Sequence, residues 1–182
     1  MHYIIVMTDK ERNSISKFLS LLLRHKPEQI GLQLDKEGWA DVQELLSKIE
    51  ITFEHLQEIV HLNDKKRFIF SEDLSKIRAN QGHTINVELN LQPVTPPEIL
   101  YHGTAEKNIA SILEKGILKQ ERHHVYLSDN IETAISVGKR YGKPVVFEVV
   151  ALEMHTAGHE FYLSENNVWL TEYVPPLYIR KH

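Results

Sequence analysis

The chain has 182 residues, a formal charge of −4 from 21 Lys and Arg against 25 Asp and Glu, and a hydrophobic share of 42%; this is ordinary globular usage, and it excludes a disordered chain, a collagen repeat and a polybasic tail. Without a single cysteine, disulfides, Cys-bound zinc, iron–sulfur clusters and thiol nucleophiles are out of reach. No apolar run approaches the roughly 18 residues of a membrane helix, and the opening Met-His-Tyr-Ile-Ile-Val-Met is too short and lacks the basic start of a signal peptide, so a soluble, cytoplasmic, monomeric protein with no membrane partner is expected.

In chain order, Ile15, Phe18, Leu19, Leu22 and Leu23 repeat at helical spacing and predict an amphipathic helix capped by Asn13 or Ser14. It stops at Arg24-His25-Lys26-Pro27, because the residue before a proline is pushed out of the helical region. Ile30 to Leu34 alternates like a short strand, Asp35 to Gly38 reads as a turn, and Trp39 as a core anchor. Asp41 with Glu44 opens a helix through about Ile49, and Thr52 caps another, apolar at Phe53, Leu56, Ile59 and Val60. Arg67 to Phe70 and Lys76 to Ala79 then pair as a hairpin around Ser71 to Asp73. Three helices followed by a hairpin is the order of a winged helix, a frequent nucleic-acid binder, although fold alone fixes no function.

The run Gln92-Pro93-Val94-Thr95-Pro96-Pro97 predicts a stiff linker. Past it, Ile99 to His102 reads as a strand and Ala105 to Lys115 as a helix closed by Gly116. Val125 to Leu127 follows as a strand, with a helix from Asp129 or Asn130 to about Arg140. Pro144 to Val150, Val168 to Thr171 and Leu177 to Ile179 complete the strands. The expected class is α+β: residues 1–92 a first lobe, 93–97 a linker, and 98–182 a mixed lobe around a split sheet.

Charge does not single out either half, since the chain before and after Thr95 carries −2 each; a nucleic-acid partner must be argued from local clusters. Several motifs fail. Gly138 to Lys143 has its glycines one residue too close for a phosphate loop, and Pro144 replaces Ser or Thr. His155 and His159 have zincin spacing, but the glutamate is misplaced and Gly158 opposes a helix, so a surface loop without metal is expected.

Four clusters carry chemistry. Arg24-His25 sets a guanidinium beside an imidazole at a helix end, where dipole complementation explains one charge but not both. Lys65-Lys66-Arg67 enters an aromatic strand; the alternative to solvated edge cations is an arginine placed to fork onto a phosphate. Leu100-Tyr101-His102-Gly103-Thr104 delivers an imidazole, a glycine that admits close backbone approach, and a hydroxyl that otherwise reads as a helix cap. Arg140 stands at a helix terminus between two glycines, where a dipole role is again the plain reading.

These residues carry a family resemblance. Ser16 to Ser20, Leu23-Arg24-His25-Lys26-Pro27, Gly31-Leu32, Asp35, Glu37 to Asp41, Lys66-Arg67-Phe68, Ile77-Arg78-Ala79 and Gln81-Gly82-His83 make up its first part. Leu100 to Thr104, Val125 to Ser128, Val137-Gly138, Arg140-Tyr141-Gly142 and Asn167 to Leu170 complete it, all in order. The chain resembles the RNA 2′-phosphotransferases, which finish tRNA splicing in eukaryotes and have bacterial members in organisms without such splicing. The resemblance implies a winged-helix RNA lobe followed by an ADP-ribosyltransferase-like lobe that takes NAD⁺ as co-substrate, without a metal. It implies that RNA bearing an internal 2′-phosphate is the substrate. It also implies the catalytic set Arg24, His25, Arg67 and Arg140, and NAD⁺ contacts from His102, Gly103, Thr104, Tyr126 and Ser128; among the histidines, His83 is a third candidate for a direct role beside His25 and His102. Many relatives have His where Tyr126 stands, and the position near Val168, a catalytic Glu in protein-modifying relatives, is apolar here. The rival readings are an NAD⁺-dependent ADP-ribosyltransferase that caps phosphorylated nucleic-acid ends or modifies protein, and an RNA-binding adaptor without catalysis.

Overall fold

The structure, a computed structural model, describes residues 7–182; the opening run weighed above as a signal peptide lies, apart from Met7, outside them. Six α-helices and four small antiparallel sheets are present among the described residues, a mixed α and β architecture. The chain divides into two compact units, Met1–Asn90 and Leu91–His182.

In the first unit, α1 spans Asp9–Arg24 and starts earlier than the apolar repeat predicts. The reason is a capping box: Glu11 N–H donates to the Thr8 hydroxyl while the Glu11 carboxylate accepts from Thr8 N–H at 2.9 Å. That box satisfies orphan donors which Asn13 could not reach. Pro27–Ile30 is a 3₁₀ turn, so the expected strand over Ile30 to Leu34 shrinks to one bridge, Leu34 with Ala40. The proline starts a turn, and Gly31 at φ 63° closes it.

Next come β1 (Ala40–Asp41), α2 (Val42–Lys48), α3 (Phe53–His61), β2 (Phe68–Phe70) and β3 (Lys76–Ala79). Asp41 and Thr52 cap their helices by accepting from Glu44 and His55 N–H. The strands form one sheet in the order β1-β3-β2, with Ala40 opposite Ile77 and Phe68 opposite Ala79. Asp73 organises the hairpin turn, accepting from the Ser71 hydroxyl at 2.6 Å and from Ser75, and these bonds push its carboxyl down to about 2. Leu19, Leu22, Leu23, Leu45, Leu56, Ile59, Phe68 and Ile77 bury together as this unit's core, each contributing about 1.5–3 kcal/mol. Trp39 is not in that core: it is half-buried, with the Arg78 guanidinium 4.5 Å from its ring centroid.

In the second unit, the proline-rich run lies beside a strand, with Pro93 bridging Tyr162 and Val94 N–H donating to Phe161. In chain order the elements are β4 (Leu100–Ala105), α4 (Ile109–Lys115), β5 (Ile117–Leu118), β6 (Val125–Leu127), α5 (Ile131–Gly138), β7 (Pro144–Val149), α6 (Ala151–Thr156), β8 (Phe161–Leu163), β9 (Trp169–Thr171), β10 (Tyr173–Val174) and β11 (Ile179–Lys181). They make sheets β11-β7-β4, β6-β9-β8 and β10-β5. Phe147, Phe161, Leu100, Met154 and neighbours fill the core. The His155 to His159 stretch is corrected: His155 lies in the last turn of α6, and Gly158, at φ 100°, follows the helix instead of breaking it. The short β5, β8 and β10 were not predicted, since two or three residues leave too little pattern to read.

Candidate functional site

Arg24 ends α1, and His25 follows as its C-cap, with φ −131° and its N–H bonded to Leu21 C=O at 3.0 Å. The helix end is closed by a loop, not by cations alone: Thr84 N–H donates to Arg24 C=O at 2.9 Å. The same threonine sets the imidazole, its hydroxyl lying 3.0 Å from His25 Nδ1. Gly82, at φ 94°, lies against the Arg24 side chain, where an added Cβ would stand 3.3 Å from Nη1. Arg24 Nη2 in turn reaches the Arg67 carbonyl at 3.5 Å.

Arg67 leads into β2 from a tight turn in which Lys66 takes a left-handed φ of 41°. Asn63, buried, holds that turn: its side-chain oxygen accepts from Arg67 Nη1 at 3.2 Å and from Lys65 N–H, while its amide donates to Ser16 on α1. Asn80 pins the turn from the neighbouring strand, donating to Lys66 C=O at 2.6 Å from its side chain and to Arg67 C=O from its backbone. Arg24, His25 and Arg67 are thus brought to one end of α1 by buried amides and a glycine. His83, between Gly82 and Thr84 in sequence, is buried and packed near Gly38. The supporting Asn63, Asn80 and Thr84 carry no motif of their own; only the positive-φ turn at Gly82 has a sequence sign.

In the second unit, Tyr101 and Ser128 exchange backbone hydrogen bonds at 2.7 and 2.9 Å, which sets the start of β4 beside the end of β6. His102 Nδ1 lies 3.2 Å from Tyr126 C=O. A carbonyl only accepts, so Nδ1 carries the proton and Nε2 presents a lone pair. Burial pushes the His102 pKa down, against the hydrogen bond to Tyr126, and the nearby Arg122 charge lowers it further. The folded protein therefore binds fewer protons here than the unfolded chain, so this group's contribution to stability falls as pH drops below about 6.5. By NMR titration, the His102 ring is expected to titrate below pH 6.5; a midpoint above it would remove the neutral acceptor.

The Tyr126 ring is half-buried, with the Arg122 guanidinium 4.9 Å from its centroid; the sequence reading did not anticipate that arginine. Thr104 is buried and does not cap a helix: it lies within β4, its hydroxyl accepting from Asn108 at 2.9 Å. Ser128 accepts from Asn130 N–H at 3.0 Å, just before Asn130 caps α5. Gly103 faces α5, not open space, and an added Cβ would lie 1.7 Å from the Ala134 carbonyl oxygen. Arg140 follows α5 in an exposed turn, its N–H bonded to Val137 C=O, because the helix ends at Gly138 and not at Arg140. The chemistry offered is a neutral imidazole acceptor for a hydroxyl, with an aromatic residue beside it.

The model of the RNA 2′-phosphotransferase, Tpt1/KptA family matches residues 10–173. The chain belongs to the RNA 2′-phosphotransferase family. Among relatives carrying the name "Probable RNA 2′-phosphotransferase", one from Flavobacterium johnsoniae is 53% identical over 178 residues, spanning 95% of this chain and 98% of the relative. One from Trichormus variabilis is 52% identical with the same coverage. One from Pseudomonas aeruginosa is 48% identical over 181 residues, covering 96% of this chain and all of the relative. In this family member, Arg24, His25 and Arg67 gather at one end of α1 in the first unit, and His102 and Tyr126 stand together in the second.

Proposed function

We propose that this family member removes an internal 2′-phosphate from RNA with NAD⁺ as co-substrate. The first unit serves as a winged-helix RNA lobe, a reading supported by its three helices and the β1-β3-β2 sheet. The second serves as an ADP-ribosyltransferase-like lobe, supported by small antiparallel sheets that set His102 beside Tyr126. In the first step a 2′-phosphate oxygen attacks C1 of the nicotinamide ribose, and nicotinamide leaves with the bonding pair. In the second, the adjacent ribose hydroxyl attacks phosphorus and the RNA 2′-oxygen leaves and takes a proton. The products are RNA 2′-OH and ADP-ribose 1″,2″-cyclic phosphate.

Arg24 and Arg67 hold the phosphate, His25 bonds it or protonates the departing 2′-oxygen, and Arg140 is the fourth group of the set. His102 Nε2 accepts from a ribose hydroxyl, and Tyr126 stacks on nicotinamide. The Gly103 backbone bonds the carboxamide, with Thr104 and Ser128 alongside. The observation that carries this reading is the gathering of Arg24, His25 and Arg67 around Asn63, Gly82 and Thr84.

The test supplies NAD⁺ and an oligoribonucleotide with one internal 2′-phosphate. Dephosphorylated RNA and the cyclic ADP-ribose phosphate are expected. A lasting ADP-ribosyl adduct would favour end-capping instead, and unconsumed NAD⁺ would overturn both.

A further inference from the structure

The outer face of the first unit's sheet carries a second cationic feature, separate from the Arg24, His25 and Arg67 cluster. Side chains alternate across a strand, and Phe68, Ile77 and Ala79 point into the core. Arg78, paired with Ile69, therefore faces the other way. The β1–β3 register, Ala40 with Ile77, extended by one pair sets Trp39 beside Arg78, and the guanidinium lies 4.5 Å from the indole centroid. Arg67 precedes Ile69 by two positions and continues the same ladder, since Asn80 N–H bonds its carbonyl. It therefore shares the outer face with Arg78, one diagonal step away, about 7–8 Å between side-chain roots.

Trp39 is half-buried, and its ring lies under the Arg78 guanidinium, a cation–π contact. Arg78 makes no ion pair or side-chain hydrogen bond with any described residue, and its buried Nε has no hydrogen-bond partner among them. A guanidinium held in this way keeps its fork for two oxygens of a phosphate, which a mobile lysine would not.

We infer that Trp39 and Arg78 form a second anion site for RNA, in which Arg78 takes the 3′,5′-phosphodiester flanking the 2′-phosphorylated nucleotide. The inference rests on the proposed function for the identity of the polyanion, and on the shared sheet face for its position next to Arg67. It names two residues as determinants of substrate length: the site would distinguish an internal 2′-phosphate, flanked by phosphodiesters, from a 2′-phosphorylated mononucleotide.

The experiment measures binding by the full chain across a salt series, with three probes: a short oligoribonucleotide with an internal 2′-phosphate, the same oligomer unmodified, and a 2′-phosphorylated mononucleotide. Arg78→Ala should weaken both oligomers about tenfold, as loss of a charged hydrogen bond does. It should also reduce the slope of log K against log salt by about 0.7, one phosphate on a single strand, and leave the mononucleotide unchanged. Trp39→Leu and Arg78→Lys keep the charge but lose the fixed fork, so they should weaken the oligomers with the salt slope nearly retained. Equal loss on the mononucleotide would make Arg78 a mere prop for Arg67, and no loss on either oligomer would overturn the site. If Arg78→Ala fails to fold, the Arg78→Lys oligomer affinity decides by the same rule. Turnover of the 2′-phosphorylated oligomer with NAD⁺ by the unsubstituted chain is followed in parallel. Absent turnover with an Arg78-dependent salt slope on the unmodified oligomer would sink the proposed activity and leave the RNA contact standing.

Discussion

Arg67→Ala is expected to slow RNA 2′-dephosphorylation by about 10²–10³-fold, the usual cost of deleting one preorganised donor to a charged transition state. The RNA–phospho–ADP-ribose adduct should accumulate while it does so. In the proposed reaction the second step gathers negative charge on a five-coordinate phosphorus, and a guanidinium fixed in advance would lower that barrier without reorganising. Fixation is visible around Arg67: Nη1 is tied to Asn63, and its carbonyl takes bonds from Asn80 N–H and Arg24 Nη2. Arg67→Lys should recover little, because a point charge on a flexible stem replaces a fork. Gel separation of the adduct from substrate and product gives the reading. Undiminished turnover would remove Arg67 from the chemistry. An equal slowing with no adduct would move its role to the first step. Asn63→Ala, which leaves both arginines in place, should cost less in turnover and more in thermal stability, since Asn63 also ties the turn to Ser16 of α1.

Local signals made much of this fold legible. Asp41, Thr52 and Asn130 each cap the helix they announce, because a cap needs only a short side chain and an N–H three residues on. The β2–β3 hairpin and β7 follow from their β-branched and aromatic content. Misreadings arose where tertiary context outweighed the pattern. Trp39 has the size of a core residue, yet the face it takes just before β1 is set by the pairing of Ala40 with Ile77, 37 residues later. The start of α1 is polar and aperiodic, and only the pairing of Thr8 with Glu11 betrays it. The site was legible through the blocks that carry the family resemblance. Its support was not: Arg24 meets Arg67 across 43 residues and His25 meets Thr84 across 59. No local period encodes such pairs.

Gly103→Ala should destabilise the second unit by at least about 3 kcal/mol, the upper range for overpacking a filled interior. A unit of this size should then melt more than about 10 °C lower. The glycine sits next to His102, where a reader of the sequence would assign its small size to a ligand that must approach the backbone. The geometry gives another cause. A Cβ at Gly103 would stand 1.7 Å from the Ala134 carbonyl oxygen, and one at Gly138 would stand 2.6 Å from the Thr104 carbonyl oxygen. Two glycines on facing elements therefore let α5 lie directly on β4, and backbone atoms cannot swing aside as a flexible side chain would. Gly158→Ala is the contrasting substitution: its φ of 100° is unfavourable, but nothing lies within 4 Å of the added carbon. It should cost only about 1–2 kcal/mol of backbone strain. Thermal unfolding followed by circular dichroism separates the two, with Gly103→Ala well below Gly158→Ala. If Gly103→Ala instead melts with the unsubstituted protein and only weakens NAD⁺ binding, the glycine serves the ligand, and close packing of α5 on β4 is not what fixes the position of His102.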